Sequence, residues 1–260
     1  MKIGLFDSGI GGLTVLANLI KLMPDEEYIY YADSDNCPYG IKTKEEIYAL
    51  SKKAVVFLKD RGCDVVCIAC NTATSVAATG LRSEFDFPII GVEPAVKPAI
   101  DHMATDGGNG RILVIATPMT VNQKKLHDLI DRLDEEHLVD MKALGKLPEF
   151  AEHGDFESPA LFKYFDRELG DEKYRKYTKV VLGCTHFIHY TEALKKYFSD
   201  DVEFLDGAEG TARNIMRICK ENGYPLSDSA HIEFYRSGSM AGEADIKFYK
   251  LILDRLTKNS

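Results

Sequence analysis

The chain has 260 residues, of which 45% are hydrophobic and 28% are charged. This composition is typical of a folded globular protein and argues against a disordered chain or an integral membrane protein. The formal net charge of -9 disfavours binding to nucleic acid or to an anionic membrane surface, because both carry the same sign of charge.

Short apolar runs alternate along the chain with longer amphipathic segments, a pattern typical of parallel βα units. A helix is predicted from Thr43 to Arg61, since apolar residues recur there at three-to-four spacing. Two further helices are predicted at 210–222 and 242–256. The predicted strands lie at residues 3–6, 28–32, 65–69, 88–92, 112–116, 138–143, 179–183 and 202–206.

The strand pattern occurs twice. Residues 65–72 match residues 179–186 at an offset of 114 (184 minus 70), and the strands that begin at Pro88 and Val202 keep this offset. The opening strand and turn correspond to residues 113–117. We therefore predict an α/β protein with two pseudo-symmetric lobes, each a mainly parallel sheet flanked by helices, and an active site in the cleft between them.

The lobe boundary is predicted in the polar, glycine-rich stretch 101–110. The tail of the chain is expected to return to the first lobe. The first lobe is then predicted to contain residues 1–97 and 207–260, and the second lobe residues 98–206.

Two of the six cysteines lie where ligands bind in parallel sheets. Cys70 and Cys184 each directly follow a predicted strand, and loops and helix N-termini converge at that edge of a sheet. The polar residues that follow each cysteine are expected to cap the next helix, and a helix N-terminus lowers a thiol pKa. Two opposed thiols can remove a proton from one face of a carbon and deliver one to the other face, with no cofactor.

Cys67 and Cys70 have the C-x-x-C spacing of zinc and redox sites. Residues three apart on a strand point to opposite faces, and there is neither a second C-x-x-C nor a close histidine pair, so no metal site is predicted. Cys63 and Cys67 fall within or just before the strand pattern and are interpreted as packing residues. Six cysteines are too few for a disulfide scaffold in a chain this long, so we expect reduced thiols.

The glycine-rich segment 7–14, DSGIGGLT, follows the first strand as a phosphate-binding loop would. It matches neither G-x-G-x-x-G nor a Walker loop. Two uses remain open: the segment brings backbone N–H groups and the Asp7 and Ser8 side chains to a small ligand, or Asp7 and Ser8 only cap a helix.

Five segments, in this order and spread over nearly the whole chain, resemble the glutamate racemases of the aspartate/glutamate racemase superfamily. The resemblance implies cofactor-independent interconversion of L- and D-glutamate, with D-glutamate supplied for peptidoglycan synthesis in a bacterium. It also implies a homodimer. The matching segments are FDSGIGG (6–12), PYG (38–40), CNTA (70–73), GVEP (91–94) and GCTH (183–186).

The resemblance also implies roles for individual residues. Cys70 is expected to serve the D-glutamate face and Cys184 the L-glutamate face as proton donor and acceptor. Asp7 and His186 match residues that assist the two thiols, and Glu152 matches an acidic residue near the second thiol, although Glu149 is a nearby alternative. The positions that match substrate-binding residues are Asp7, Ser8, Tyr39, Gly40, Asn71, Thr72, Thr185 and His186.

Several alternatives stay open at this point. An aspartate racemase or another amino-acid racemase of the superfamily shares two opposed thiols. A hydrolase would need only Cys184 and His186, and a two-lobed binding module would hold glutamate without exchanging its α-proton. Cys37, beside the expected substrate loop, is either a third reactive thiol or a packing residue.

The expected location is the cytoplasm. No apolar run approaches the roughly 18 residues needed to span a bilayer. The chain also enters an apolar strand, 3–6, with no basic leader before it.

Overall fold

The structure is a computed structural model that describes residues 1–105, 110–225, 227 and 230–258. Residues 106–109 of the predicted boundary stretch lie outside the described residues. The strands are β1 Lys2–Asp7, β2 Glu27–Ala32, β3 Val65–Ile68, β4 Ile89–Gly91, β5 Arg111–Ala116, β6 Val139–Ala143, β7 Tyr177–Leu182, β8 Glu203–Asp206, β9 His231–Arg236 and β10 Ser239–Met240.

The helices alternate with the strands, and short 3-10 turns are interspersed among them, such as Tyr39–Ile41 and Thr185–Tyr190. The α-helices are α1 Leu13–Leu22, α2 Lys44–Asp60, α3 Asn71–Glu84, α4 Val96–Thr105, α5 Pro118–Val121, α6 Lys124–Leu133, α7 Leu147–Glu152, α8 Pro159–Leu169, α9 Thr191–Leu194, α10 Ala208–Glu221 and α11 Glu243–Lys258. The α/β class expected from the alternation is therefore confirmed.

Contacts within the chain divide it into two compact units. The first comprises Met1–Glu93 and Ala208–Ser260, and the second comprises Pro94–Gly207. The tail thus packs with the N-terminal segment, as α1 contacts both α10 and α11.

The first unit is built on a sheet with the strand order β10-β9-β2-β1-β3-β4. All neighbours are parallel except β10, which runs antiparallel to β9. The central strand β1 is buried along almost its whole length, because it lies between β2 and β3 and helices cover the sheet. Its C-terminal residue, Asp7, emerges at the sheet edge where the glycine-rich segment begins.

The second unit has a fully parallel sheet with the order β6-β5-β7-β8. This order reproduces β2-β1-β3-β4 of the first unit, strand for strand. Helices α4 and α6 pack on it around a core that includes Val96, Ile112, Val114 and Val181. The internal repeat predicted from the sequence therefore corresponds to a repeated strand topology.

The tail contains two strands that the sequence analysis did not predict. β9 extends the first sheet as a parallel neighbour of β2, with Phe234 beside Tyr30.

Across the described residues, no helix is both long and apolar enough to cross a bilayer. No disulfide joins any of the six cysteines, all of which lie in the described ranges.

Replacing Leu5 by alanine is expected to lower the free energy of unfolding by about 2 to 5 kcal/mol, because the side chain is fully buried in the central strand and its loss leaves a cavity. The matched control is Leu251→Ala on α11, where the side chain is 63% exposed; a change within about 0.5 kcal/mol is expected there. Urea denaturation of both variants measures the difference. Equal losses would contradict the described packing.

Candidate active site

The first candidate thiol lies at the junction between β3 and α3. Cys70 is the N-cap residue of α3 and has extended backbone geometry, with φ -107° and ψ 120°. Its side chain is buried, and its Sγ lies 3.4 Å from Ser8 Oγ. Residues Asn71 and Thr72 form the first turn of the helix. The expectation that they would cap it is wrong, because the cysteine itself occupies the cap position and no side chain caps there.

Asp7 and Ser8 lie beside this thiol. The buried Asp7 carboxylate accepts hydrogen bonds through Oδ1 from the Gly9 N–H at 2.7 Å and from the Ser8 hydroxyl at 3.3 Å. The alternative in which these residues cap α1 is wrong, since the N-cap of that helix is Gly12 and no side chain caps it. The polar groups are instead folded back on the segment itself, next to Cys70.

Gly12 permits the close approach of this segment to the two strand ends. A Cβ atom at position 12 would lie 2.8 Å from the Asp7 Cβ and 2.9 Å from the Ala69 Cβ. Both distances are shorter than side-chain carbon atoms tolerate, so a larger residue would push α1 away from Asp7 and from the residue that precedes Cys70.

Tyr39 is held by a residue to which the sequence analysis gave no role. Its hydroxyl donates to Asp33 Oδ2 at 2.6 Å, and Asn36 donates to the other carboxylate oxygen at 3.0 Å. Burial raises the pKa of the Tyr39 phenol, and the nearby Asp33 carboxylate raises it further. The phenol therefore stays protonated at neutral pH and is no proton acceptor. The next residue, Gly40, is buried in the same short turn.

The position of Asp33 in the sequence could have indicated its place near Asp7. It directly follows the β2 strand, so it lies at the same sheet edge as Asp7, and its backbone N–H donates to the Asp7 carbonyl at 2.9 Å. Its side chain is only 3% exposed. Ligands bind beyond the carboxyl ends of parallel strands, so a polar residue directly after β2 is a candidate for the site.

The second candidate thiol lies at the junction after β7. Cys184 is the N-cap of a 3-10 helix, Thr185–Tyr190, and no side chain caps this helix either, so the expectation that Thr185 and His186 would cap it is wrong. Its Sγ lies 3.8 Å from His186 Nδ1, and His186 Nε2 lies 2.9 Å from Glu152 Oε1. The imidazole thus connects the thiol to a carboxylate. Thr185, the residue between Cys184 and His186 in the sequence, is also buried.

The structure distinguishes the two acidic candidates on α7. Glu152 contacts His186 through its carboxylate, whereas Glu149 is exposed and contacts His153 only through its backbone carbonyl. Residues three apart lie about 60° from each other around a helix, so the two acids differ in the contact with His186 rather than in the side of α7 on which they lie.

The other cysteines differ from these two. Cys63 and Cys67 are buried, and burial raises the pKa of the Cys63 thiol to about 12 and that of Cys67 further. Both thiols therefore remain protonated, in keeping with a packing role. Cys37 is half-buried in the segment that leads to Tyr39.

Each unit thus presents a buried thiol at a strand-to-helix junction with one polar side chain in contact and an acid behind it: Ser8 and Asp7 at Cys70, and His186 and Glu152 at Cys184. Such an arrangement suits proton transfer by a thiol, since donors and acceptors are fixed before a substrate arrives. These features are those of an α/β protein with buried thiols suited to acid–base chemistry.

Comparisons with known proteins agree with this class. Residues 11–215 match the family model for Asp/Glu/hydantoin racemases. A glutamate racemase from Lachnospira eligens is 43% identical over 99% of this chain and 98% of its own. Two solved glutamate racemases have a TM-score of 0.81 to this chain. The Escherichia coli protein, in complex with L-glutamate and the activator UDP-MurNAc-Ala, is 30% identical over 98% of this chain and 94% of its own. The Francisella tularensis protein, in complex with D-glutamate, is 25% identical over 97% and 93%.

The chain therefore belongs to the glutamate racemases of the Asp/Glu/hydantoin racemase family, which are isomerases.

Replacing Gly12 by alanine is expected to reduce both stability and activity, because the added methyl group would displace α1 from Asp7 and Ala69. The expected loss of unfolding free energy is about 1 to 3 kcal/mol. Gly210→Ala is the control: Gly210 lies in α10 with open space around its Cβ position, so alanine should stabilise that helix by up to about 1 kcal/mol. Thermal unfolding measures the stability of both variants. A stabilised Gly12→Ala protein would refute the close approach.

Replacing Glu152 by glutamine is expected to lower kcat, since the neutral amide holds the His186 imidazole less firmly than the carboxylate does. The expected loss is roughly 10-fold or more, comparable to the loss of a hydrogen bond to a charged group. Glu149→Gln removes the same charge from the same helix without touching His186, so it should keep nearly full activity. Steady-state kinetics of the two variants decides between the acids, and the reverse ranking would assign the role to Glu149.

Proposed function

We propose that this protein interconverts L- and D-glutamate by a two-base mechanism in which Cys70 and Cys184 act on opposite faces of the same α-carbon. The observation that carries the proposal is the repeated placement of a buried thiol at equivalent junctions of two topologically equivalent sheets. Support also comes from the L- and D-glutamate complexes of the Escherichia coli and Francisella tularensis relatives.

In this proposal Cys70 serves the D-glutamate face. Its thiolate takes the α-proton of D-glutamate, and the Cys184 thiol delivers its own proton to the opposite face, which yields L-glutamate. One S–H bond forms and one breaks, so the two cysteines exchange protonation states and the reverse reaction begins from the product state. No electron leaves the substrate, so the balance needs neither an oxidant nor a cofactor.

The neighbouring groups have distinct proposed tasks. Asp7 and Ser8 lie close enough to Cys70 to influence which protonation state it holds, and His186 with Glu152 does the same for Cys184. Backbone N–H groups at the starts of the two following helices are suited to hold carboxylate oxygens. We propose that the substrate is bound by Ser8, Tyr39, Gly40, Asn71, Thr72 and Thr185 together with Asp7 and His186.

The α-proton of an amino acid is a very weak acid, so the developing carbanion must be stabilised by donors that are already in place. Among the proposed binding residues there is no arginine or lysine, and the amide, hydroxyl and backbone donors fit this task. The D-glutamate formed is proposed to supply peptidoglycan synthesis. We further propose a homodimer that works in the reducing cytoplasm, where both thiols stay available.

Cys70→Ser and Cys184→Ser are each expected to reduce racemisation by roughly 100-fold or more, because a serine hydroxyl is a far weaker acid than a thiol. Each variant is incubated with either enantiomer of glutamate in deuterated water without added cofactor. Inversion is followed by circular dichroism, and loss of the α-proton is followed by NMR. Cys219→Ser is the control, since this buried thiol on α10 belongs to neither junction.

The competing functions give different results in the same assay. A hydrolase that used Cys184 and His186 would survive Cys70→Ser. A binding module would show no deuterium at the α-carbon of the wild type. Parallel reactions with D- and L-aspartate test the substrate class, and faster inversion of aspartate than of glutamate would replace the proposed substrate. Light scattering of the purified protein tests the dimer.

A further inference from the structure

A buried tyrosine beneath the glycine-rich segment contacts the backbone beside Ser8. Tyr30, in the middle of β2, is fully buried, and its hydroxyl donates to the Gly9 carbonyl at 2.6 Å. Its ring packs edge-on against Tyr249 of α11 and Phe234 of β9, with centroids 6.1 and 6.4 Å away. The phenol oxygen is therefore fixed by the core of the first unit.

Gly9 is held from both sides of its backbone. Its N–H donates to the Asp7 carboxylate at 2.7 Å, while its carbonyl accepts from Tyr30. Ser8 lies between Asp7 and Gly9 in sequence, so these two hydrogen bonds fix the peptide group that follows Ser8 and the next one along the chain. The Ser8 hydroxyl is then placed 3.4 Å from Cys70 Sγ.

We propose that Tyr30 is a positioning residue for the Cys70 half of the reaction, acting through Gly9 and Ser8 without touching the substrate. This inference rests on the proposed racemase function and deepens it. The chain of contacts runs from the core, through one backbone carbonyl, to the residue that contacts the thiol. Removing the phenol hydroxyl leaves the buried Gly9 carbonyl without this donor, so the segment shifts to find another.

The consequence for Cys70 follows from hydrogen-bond chemistry. The Ser8 hydroxyl has one hydrogen and two acceptors within reach, Asp7 Oδ1 and Cys70 Sγ. When the hydrogen is turned to the sulfur it stabilises the thiolate, and the loss of that donor raises a thiol pKa. Tyr30→Phe should therefore make the Cys70 thiolate harder to form, while Cys184, in the other unit, keeps its partners His186 and Glu152.

The same strand provides a matched control. Tyr28 lies two residues before Tyr30, on the same face of β2, and is almost fully buried. Its hydroxyl also donates to a backbone carbonyl at 2.6 Å, that of Met23, which follows the end of α1. Tyr28→Phe therefore removes an equivalent buried hydrogen bond at the end of the strand away from Cys70.

The first test measures the pH dependence of alkylation by iodoacetamide, with the Cys70 and Cys184 peptides quantified separately by mass spectrometry. For Tyr30→Phe the midpoint for Cys70 is expected to rise by about half a pH unit or more, with the Cys184 midpoint unchanged. Tyr28→Phe should leave both midpoints unchanged, although both variants should lower Tm by similar amounts. Equal behaviour of the two variants at Cys70 would overturn the proposal.

The second test uses steady-state kinetics with D-glutamate. Tyr30→Phe is expected to lower kcat roughly 10- to 100-fold with little change in KM, because a small displacement near the reacting sulfur affects the transition state more than ground-state binding. Tyr28→Phe should retain wild-type kcat. If both variants lose kcat equally, Tyr30 has only a structural role.

Ser8→Ala tests the same route without altering the core. It should itself raise the Cys70 alkylation midpoint, and adding Tyr30→Phe to it should cause little further change, since residues that act in series are not additive. Additive shifts would overturn the route through Ser8. A wild-type protein that does not invert glutamate would refute the proposed function, and the alkylation experiments would still decide the role of Tyr30.

Discussion

Both thiol positions depend on one geometric constraint, the two-residue connection between a buried parallel strand and the helix after it, whose second residue is the helix N-cap. Cys70 and Cys184 both occupy this cap position with extended backbone, φ -107° and -147° respectively. The strand fixes the Cα of each cysteine to the sheet, and the helix that follows directs its first N–H groups to the same side. A sulfur atom and several donors are thereby placed together by backbone geometry alone, before any other side chain contributes.

The two junctions are equivalent in topology but differ in their supporting groups. Cys70 contacts a serine from the glycine-rich segment, which is distant in sequence and arrives with β1. Cys184 instead contacts a histidine two residues further on, which a glutamate of α7 orients. The substrate and product are mirror images at one carbon, but the rest of glutamate is not symmetric about that carbon. In the proposed mechanism each thiol serves a different enantiomer, so the two junctions need not carry the same supporting groups.

Periodicity and motif spacing were sufficient to predict the parallel strands, the repeat and the two thiols, because each depends on local sequence. Other features depend on tertiary contacts. β9 was missed although Ile232 and Phe234 alternate with polar residues, since a short strand preceded by a polar stretch is hard to separate from a loop. The expected caps at Asn71 and Thr185, and the cap that was one of two uses left open for Asp7, were wrong because the residue type favours a cap, while the fold placed the cysteines and Gly12 there.

The support of Cys70 extends further into the core than a motif can indicate. Tyr30 and Asp33 flank the end of β2, and each reaches the site through a group that sequence patterns do not record: the Gly9 carbonyl, and the Asp7 carbonyl that accepts from the Asp33 N–H. A hydrogen bond to a backbone carbonyl places no demand on the identity of the residue that carries it. The tyrosine therefore looks like an ordinary core aromatic in the sequence, and only the tertiary structure shows that its hydroxyl holds the segment next to the thiol. Packing in the first unit and acid–base chemistry at its sheet edge thus depend on the same side chain.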